Sequence, residues 1–230
     1  MFDSNSALIS AFSMLLTGDR EVWSAIGVSF SVSLRAILIA SPPAIAIAFL
    51  LAYKSFPGRR LVLTLTNTLM SVPAVVVGLT VYLALSKNGI AADLRLLYTQ
   101  PAMIIGQVII CFPLLVAMAH ATFVAGDKLA YETARTLGAK RIPAMLTVFL
   151  ELRFGLLAAV IAGFSRIIAE IGCSMMVGGN ILDHTRNIPT AIALETSKGE
   201  FAMGVALGIV LLSLTMLLNV LLAMFQGDGQ

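Results

Sequence analysis

Arg166 and Glu170 stand four residues apart inside Phe154 to Val177, a stretch otherwise apolar enough to cross a membrane. On a helix that spacing sets both on one face. Ionisable side chains at membrane depth face a protein interior or a wet cavity and point to a pathway for charged or polar solutes. An i,i+4 pair can equally neutralise itself with no solute involved, so both readings stay open. Arg35, in the first apolar stretch, has no acidic neighbour on its own helix. It could pair with Glu170, snorkel to the interface, or help draw an anion into a pathway.

Other chemistry is sparse. No G-x-x-x-x-G-K-[ST] run occurs, so the chain should not bind ATP through a phosphate-binding loop. No H-E-x-x-H run occurs, and the histidines are His120 and His184, too few for a His-rich metal site. Cys111 and Cys173 fall inside apolar stretches and are read as packing residues, as are the many methionines. No catalytic residue, metal or resident cofactor is expected, nor is nucleic acid among the partners.

The elements that must position these charges follow from composition. The chain of 230 residues is 59% hydrophobic and 12% charged, against roughly 45–50% and 25% for a soluble domain. A span of the ~30 Å hydrocarbon core takes about 20 apolar residues, which leaves room for five or six spans and little else. The reading is an all-α integral membrane protein, a single transmembrane domain over 1–230 with about five spans. These run from about Trp23 to Tyr53, Leu61 to Leu85, Pro101 to Phe123, Phe154 to Val177, and Phe201 to Phe225. The first is longer than needed and carries Pro42-Pro43, so a tilt or kink is expected. Residues 7–17 are too short to span and lack a preceding basic residue. They read as an interfacial helix with Leu8, Phe12 and Leu15 on one face, not a cleaved signal peptide. Gly155, Ala159 and Gly163 make a small-residue face for close helix packing.

Two polar connections interrupt the apolar runs. In 127–151, Lys128 to Leu137 reads as a helix, Gly138 as a turn, and Pro143 as part of the first turn of a second helix. In 178–200, Gly178-Gly179-Asn180 opens a loop through Arg186, and Pro189 could start a short helix stopped at Gly199. With 127–151 placed in the cytoplasm, that side collects Lys54, Arg59, Arg60, Lys128, Arg135, Lys140, Arg141 and Arg153, against Arg20, Lys87, Arg95, Arg186 and Lys198 outside. This bias sets the N-terminus outside and the C-terminus inside.

The spacing in the first connection resembles the cytoplasmic loop of ABC-importer permeases, whose pattern is E-A-A, three residues, G, nine residues, I, one residue, L-P. Glu132, Ala134, Gly138 and Leu150 match; Thr133 replaces the middle Ala, Val148 the Ile, and Glu151 the closing Pro. The segments Arg166 to Gly172, Met175 to Ile181 and Thr185-Arg186 look like molybdate, sulfate and tungstate permeases, and Thr190 to Phe201 is most similar to tungstate permeases. The resemblance implies a type I importer permease in a bacterial or archaeal cytoplasmic membrane. It would work as a homodimer with separate ATPase subunits, which hold the ATP, and an extracytoplasmic solute-binding protein that delivers an oxyanion. Tungstate leads, with molybdate or sulfate as alternatives. It also makes Glu132, Thr133, Ala134, Gly138, Val148 and Leu150 the ATPase-coupling residues, with Asn180 and Arg186 as outer-loop candidates. Apart from the resemblance, a channel or ion-coupled transporter using Arg166 and Glu170 remains the alternative class.

Overall fold

The computed structural model describes residues 4–126, 131, 133, 136–138 and 140–227. Helix α1 spans Ser4–Thr17, α2 Arg20–Tyr53, α3 Arg59–Met70, α4 Ala74–Leu85 and α5 Gln100–Ala125. After the 127–140 connection come α6 Arg141–Glu151, α7 Arg153–Ile168, α8 Gly172–Gly178, α9 Ile188–Lys198 and α10 Phe201–Gly227. One 3-10 turn, Ala92–Leu94, precedes α5, and no strand occurs among the described residues.

The two longest central helices, α2 and α5, form the axis of the bundle. Ala36, Ala40 and Ala44 recur at i+4 along α2 and are fully buried together with Cys111 and Leu115 of α5. Small side chains let the two backbones approach closely, which is how helices associate where lipid supplies no hydrophobic drive. Helix α7 joins the same seam at Gly163, where an added Cβ would lie 3.0 Å from both Ile37 and Leu115. The face of Gly155, Ala159 and Gly163 is therefore a contact face, and both cysteines are buried and free.

Three helices, α2, α5 and Phe201–Met224 of α10, are long and apolar enough to cross a membrane singly. The other crossings differ from the expected single helices. The run Leu61 to Leu85 is two helices meeting at 98°, because Pro73 cannot donate within a continuing helix and disfavours helical backbone at Val72. The run Phe154 to Val177 ends as a helix at Ile168, breaks at Ala169–Ile171 and resumes as α8. Val75 of α4 lies against Gly172, and Gly78 against Cys173, so the two interruptions pack on each other.

Helix α2 contains Pro42 and Pro43, yet it is continuous from Arg20 to Tyr53. Its excess length extends the N-terminal end, where Asp19 accepts hydrogen bonds from the Glu21 and Val22 amides. There Val22 and Ala25 pack with Ile188, Ala191 and Leu207. Helix α1 forms where expected, but Leu15 and Met14 pack into that cluster while Ile9, Phe12 and Leu16 are exposed. The apolar face is thus rotated from the one expected, because α1 rests on α10. The side chain of Leu8 lies outside the described residues.

At Gly78 an added Cβ would sit 2.8 Å from the Cys173 Cα, a backbone atom that cannot swing away; at Gly27 it would meet nothing within 4 Å. Gly78→Ala is therefore expected to destabilise by about 1–3 kcal/mol through overpacking. Gly27→Ala, in an open helical position, should be neutral or slightly stabilising. Melting temperatures of the two purified variants check the contrast.

Candidate coupling and permeation site

The connection expected to couple leaves α5 at Gly126, where an added Cβ would meet Leu152 at 2.7 Å. Tyr131, Thr133 and Thr136 are helical and Leu137 and Gly138 turn. Gly138 takes φ +90°, a left-handed backbone that glycine adopts without strain, with open space where a side chain would point. Glu132 and Ala134 of the motif lie outside the described residues.

On α6 the motif's apolar pair divides. Val148 is buried with Phe49, Ala119, Phe123 and Leu156, holding the helix to the bundle. Leu150 faces outward with Ile142 and Leu146, spaced four apart on one stripe and each more than half exposed; Leu137 is 83% exposed nearby in sequence. One helix thus has a face anchored to the spans and a second apolar face that no element covers among the described residues.

The anchoring is aromatic. Phe49 stacks on Tyr53 at 4.7 Å between ring centroids and meets Phe123 and Phe149 at 5.5 Å and Tyr131 at 6.1 Å. Phe123 and Phe149 also lie 5.5 Å apart, and Tyr53 and Tyr131 5.4 Å. This cluster joins α2, α5, the loop and α6 in one contact. Sequence reasoning did not single it out, although Phe49 and Tyr53, four apart near a span end, are a helical pair.

Arg166 and Glu170 are brought together: Arg166 Nη1 donates to Glu170 Oε2 at 2.7 Å. Their surroundings are unequal. The Glu170 side chain is 8% exposed, and its Oε1 accepts the Gly172 amide at 2.9 Å, while the Arg166 side chain is 46% exposed. Glu170 thereby satisfies a donor freed where α7 breaks. Arg166 lines a cavity of about 390 Å³ with Leu69, Met70 and Val72 at the α3–α4 elbow and Ile109 and Pro113 of α5. That cavity was not foreseen, though Pro73 and Pro113 were its local signals.

Arg35 is exposed on α2 and enters no ion pair among the described residues. Glu170 pairs with Arg166 and not with Arg35. Ser31, one turn before it, lies 3.3 Å from Gln100 at the start of α5, so Arg35 sits about one turn (~5.4 Å) inside that end of the bundle.

Arg186 is largely buried between two carboxylates, 3.5 Å from Glu21 and 3.7 Å from Glu195. Glu195, itself 4% exposed, also accepts from Lys198 at 2.8 Å. The arginine clamps the loop and α9 to α2. Asn180 adopts φ +53° and donates to the Thr190 carbonyl at 3.4 Å. Asn187 and Thr190 form a reciprocal cap that starts α9, and Gly199 ends it at φ +86°. No group of three metal-ligating side chains occurs among the described residues.

The fold is that of an ABC-importer permease: the chain superposes on a bacterial ABC transporter importing the acidic polysaccharide alginate with TM-score 0.75 and 17% identity. That match covers 96% of this chain and 84% of the other. No family model matches. The tungstate uptake permease of Peptoclostridium acidaminophilum is 36% identical over 95% of this chain and 96% of its own length. That of Campylobacter jejuni is 36% identical over 91% and 87%. More distant relatives are molybdenum and sulfate transport permeases. The chain belongs to this family of ABC-importer permeases. It is a multi-pass membrane subunit, not an enzyme, and such subunits work with ATPase and solute-binding partners.

Two outcomes follow from the geometry. Phe49→Ala removes the ring shared by both spans, the loop and α6, and is expected to cost about 3–5 kcal/mol. Reconstituted with its ATPase, the variant should show ATP hydrolysis less responsive to the binding protein, measured against wild type. For the ion pair, removing one member leaves its partner uncompensated in low dielectric. Arg166→Gln or Glu170→Gln alone should lower the melting temperature more than the double substitution; simple addition of the two losses would show the pair is not coupled.

Proposed function

We propose that this chain is the membrane permease of an ATP-driven tungstate importer, acting as a homodimer. The observation that carries the substrate is the 36% identity, over nearly the full length, to permeases named for tungstate uptake. The outward apolar stripe of Ile142, Leu146 and Leu150 supports docking of an ATPase subunit at α6. Glu132, Thr133, Ala134, Gly138 and Val148 complete the coupling element, with Gly138 setting the turn between its halves. The excess of Lys and Arg beside this loop supports a cytoplasmic location, with 178–200 and the N-terminus outside and the C-terminus inside. ATP acts on the partner ATPases and this chain carries no cofactor of its own.

In this reading ATP draws the two ATPases together, the paired coupling helices follow, and the aromatic cluster passes the displacement to α2 and α5. The solute-binding protein releases the oxyanion at the outer mouth, and hydrolysis returns the pathway inward. Selection between tungstate and molybdate, tetrahedral dianions of like charge and similar size, falls to the binding protein.

Reconstitution in liposomes with the cognate ATPase and binding protein is the test. Tungstate should accumulate only with ATP, and Gly138→Pro should abolish uptake while the protein still inserts, because proline cannot adopt the left-handed turn. Passive uptake by the permease alone, indifferent to both partners, would establish a channel instead.

A further inference from the structure

Arg166 lies at mid-depth in the bundle. Its cavity is shared with Pro113, the fourteenth of the 26 residues of α5, and with the elbow that divides α3 from α4. One residue on from Arg166, the Ile167 carbonyl accepts from Gln107, also in the central part of α5. The α3–α4 elbow and Pro113, which lies inside the continuous α5, share the cavity wall with Arg166, and the α7–α8 break held by Glu170 begins three residues further on. Irregular backbone at membrane depth is tolerated where it is buried in protein or lines a water-filled cavity. Broken helices meeting at the midplane mark solute sites in membrane transporters.

The charges are arranged asymmetrically. The pair is neutral in sum, but its negative member is turned inward and satisfied by the Gly172 amide as well as by Arg166. Its positive member is the one charged residue on the cavity wall among the described residues. A guanidinium has five N–H donors, and the Glu170 bond occupies one. The cavity is consequently faced by the positive end of the pair. Its volume of about 390 Å³ corresponds to roughly a dozen waters at ~30 Å³ each, enough for a tetrahedral oxyanion with part of its hydration.

We infer that this cavity is a transit site for tetrahedral oxyanions, in which Arg166 binds the passing anion through donors not given to Glu170. The inference rests on the oxyanion-import reading and adds where in this chain the anion pauses. Glu170 fixes the arginine and offsets its charge, so the anion meets a polarised pair instead of an unopposed cation. The remaining wall, Leu69, Met70, Val72, Ile109 and Pro113 among it, is apolar and offers no side-chain donor among the described residues. Binding is therefore weak enough to permit release, as conduction requires, and sulfate, molybdate and tungstate are held alike.

The test places a cysteine at Val72 in the complete complex with ATPase and binding protein in liposomes. The native Cys111 and Cys173 are buried and do not compete for reagent. An anionic methanethiosulfonate should label Val72→Cys several-fold faster than a cationic one, and millimolar tungstate, molybdate or sulfate, but not chloride, should slow labelling. In the added background Arg166→Gln with Glu170→Gln, of unchanged net charge, the rate preference and the protection should both disappear. Arg166→Lys should retain the preference. Uptake by the double variant should remain at least ten-fold below wild type even where its melting temperature is restored, separating a transit role from a structural pair.

Absence of labelling, equal rates for both reagents, protection that survives loss of Arg166, or wild-type uptake by the double variant would each overturn the site. Tungstate uptake by the wild-type complex in that case would leave the import reading standing. Labelling and protection as expected in a wild-type complex unable to import tungstate would retain the oxyanion site and overturn the tungstate reading.

Discussion

The close seam between α2 and α5 is the constraint on which the rest of the molecule depends. Ala36, Ala40 and Ala44 present almost no side chain to Cys111 and Leu115, so the two longest central helices lie against each other. With little hydrophobic drive between helices in lipid, such contact relies on packing, and packing depends on shape. Gly163 admits α7 to the same seam. At one end of it the aromatic cluster holds the coupling segment; near its middle the helices break around a cavity; at the other end the 178–200 loop is clamped. Each functional region is thus fixed to one rigid axis.

Low dielectric governs what happens at mid-depth. A helix satisfies its own backbone, so every interruption must find other partners or reach water. Glu170 does this at the α7 break by accepting the Gly172 amide, while its second oxygen holds Arg166. One carboxylate therefore joins backbone satisfaction to the placement of a cation. Proline supplies the other interruption without needing a donor, at Pro73, whereas α5 runs on through Pro113. The exposed cation and the irregular backbone share one cavity because each is costly against lipid.

The coupling element combines a turn with a stiff attachment. Gly138 allows the change of direction, whereas Phe49, Phe123 and Phe149 form interlocked ring contacts that hold α2, α5 and α6 together. Val148 belongs to the attachment and Leu150 to the outward face. Two neighbouring positions of one motif therefore serve opposite sides of α6, a division set by their two-residue spacing, which on a helix turns them about 200° apart. The clamp at Arg186 is of another kind: its carboxylate partners come from α2 and α9, and it secures structure through charge.

Much was legible along the chain. Apolar run length marked α2, α5 and α10, Pro189 and Gly199 bounded α9, and the four-residue interval joined Arg166 to Glu170. These features are local, decided by helix period and by the backbone limits of proline and glycine. The elbow at Ser71 to Pro73, the break at Ala169 to Ile171, the inward turn of Leu15 and the burial of Arg186 were not legible in the same way. Each involves a segment distant in sequence: the elbow, started by Pro73, packs on α8, the break on α4, α1 on α10, and Arg186 on α2. The sequence by itself determined a helical membrane chain with a paired charge, because period and hydropathy are properties of consecutive residues. Only the tertiary structure decided that Glu170 turns inward while Arg166 meets a cavity, because burial and field are set by whatever packs alongside.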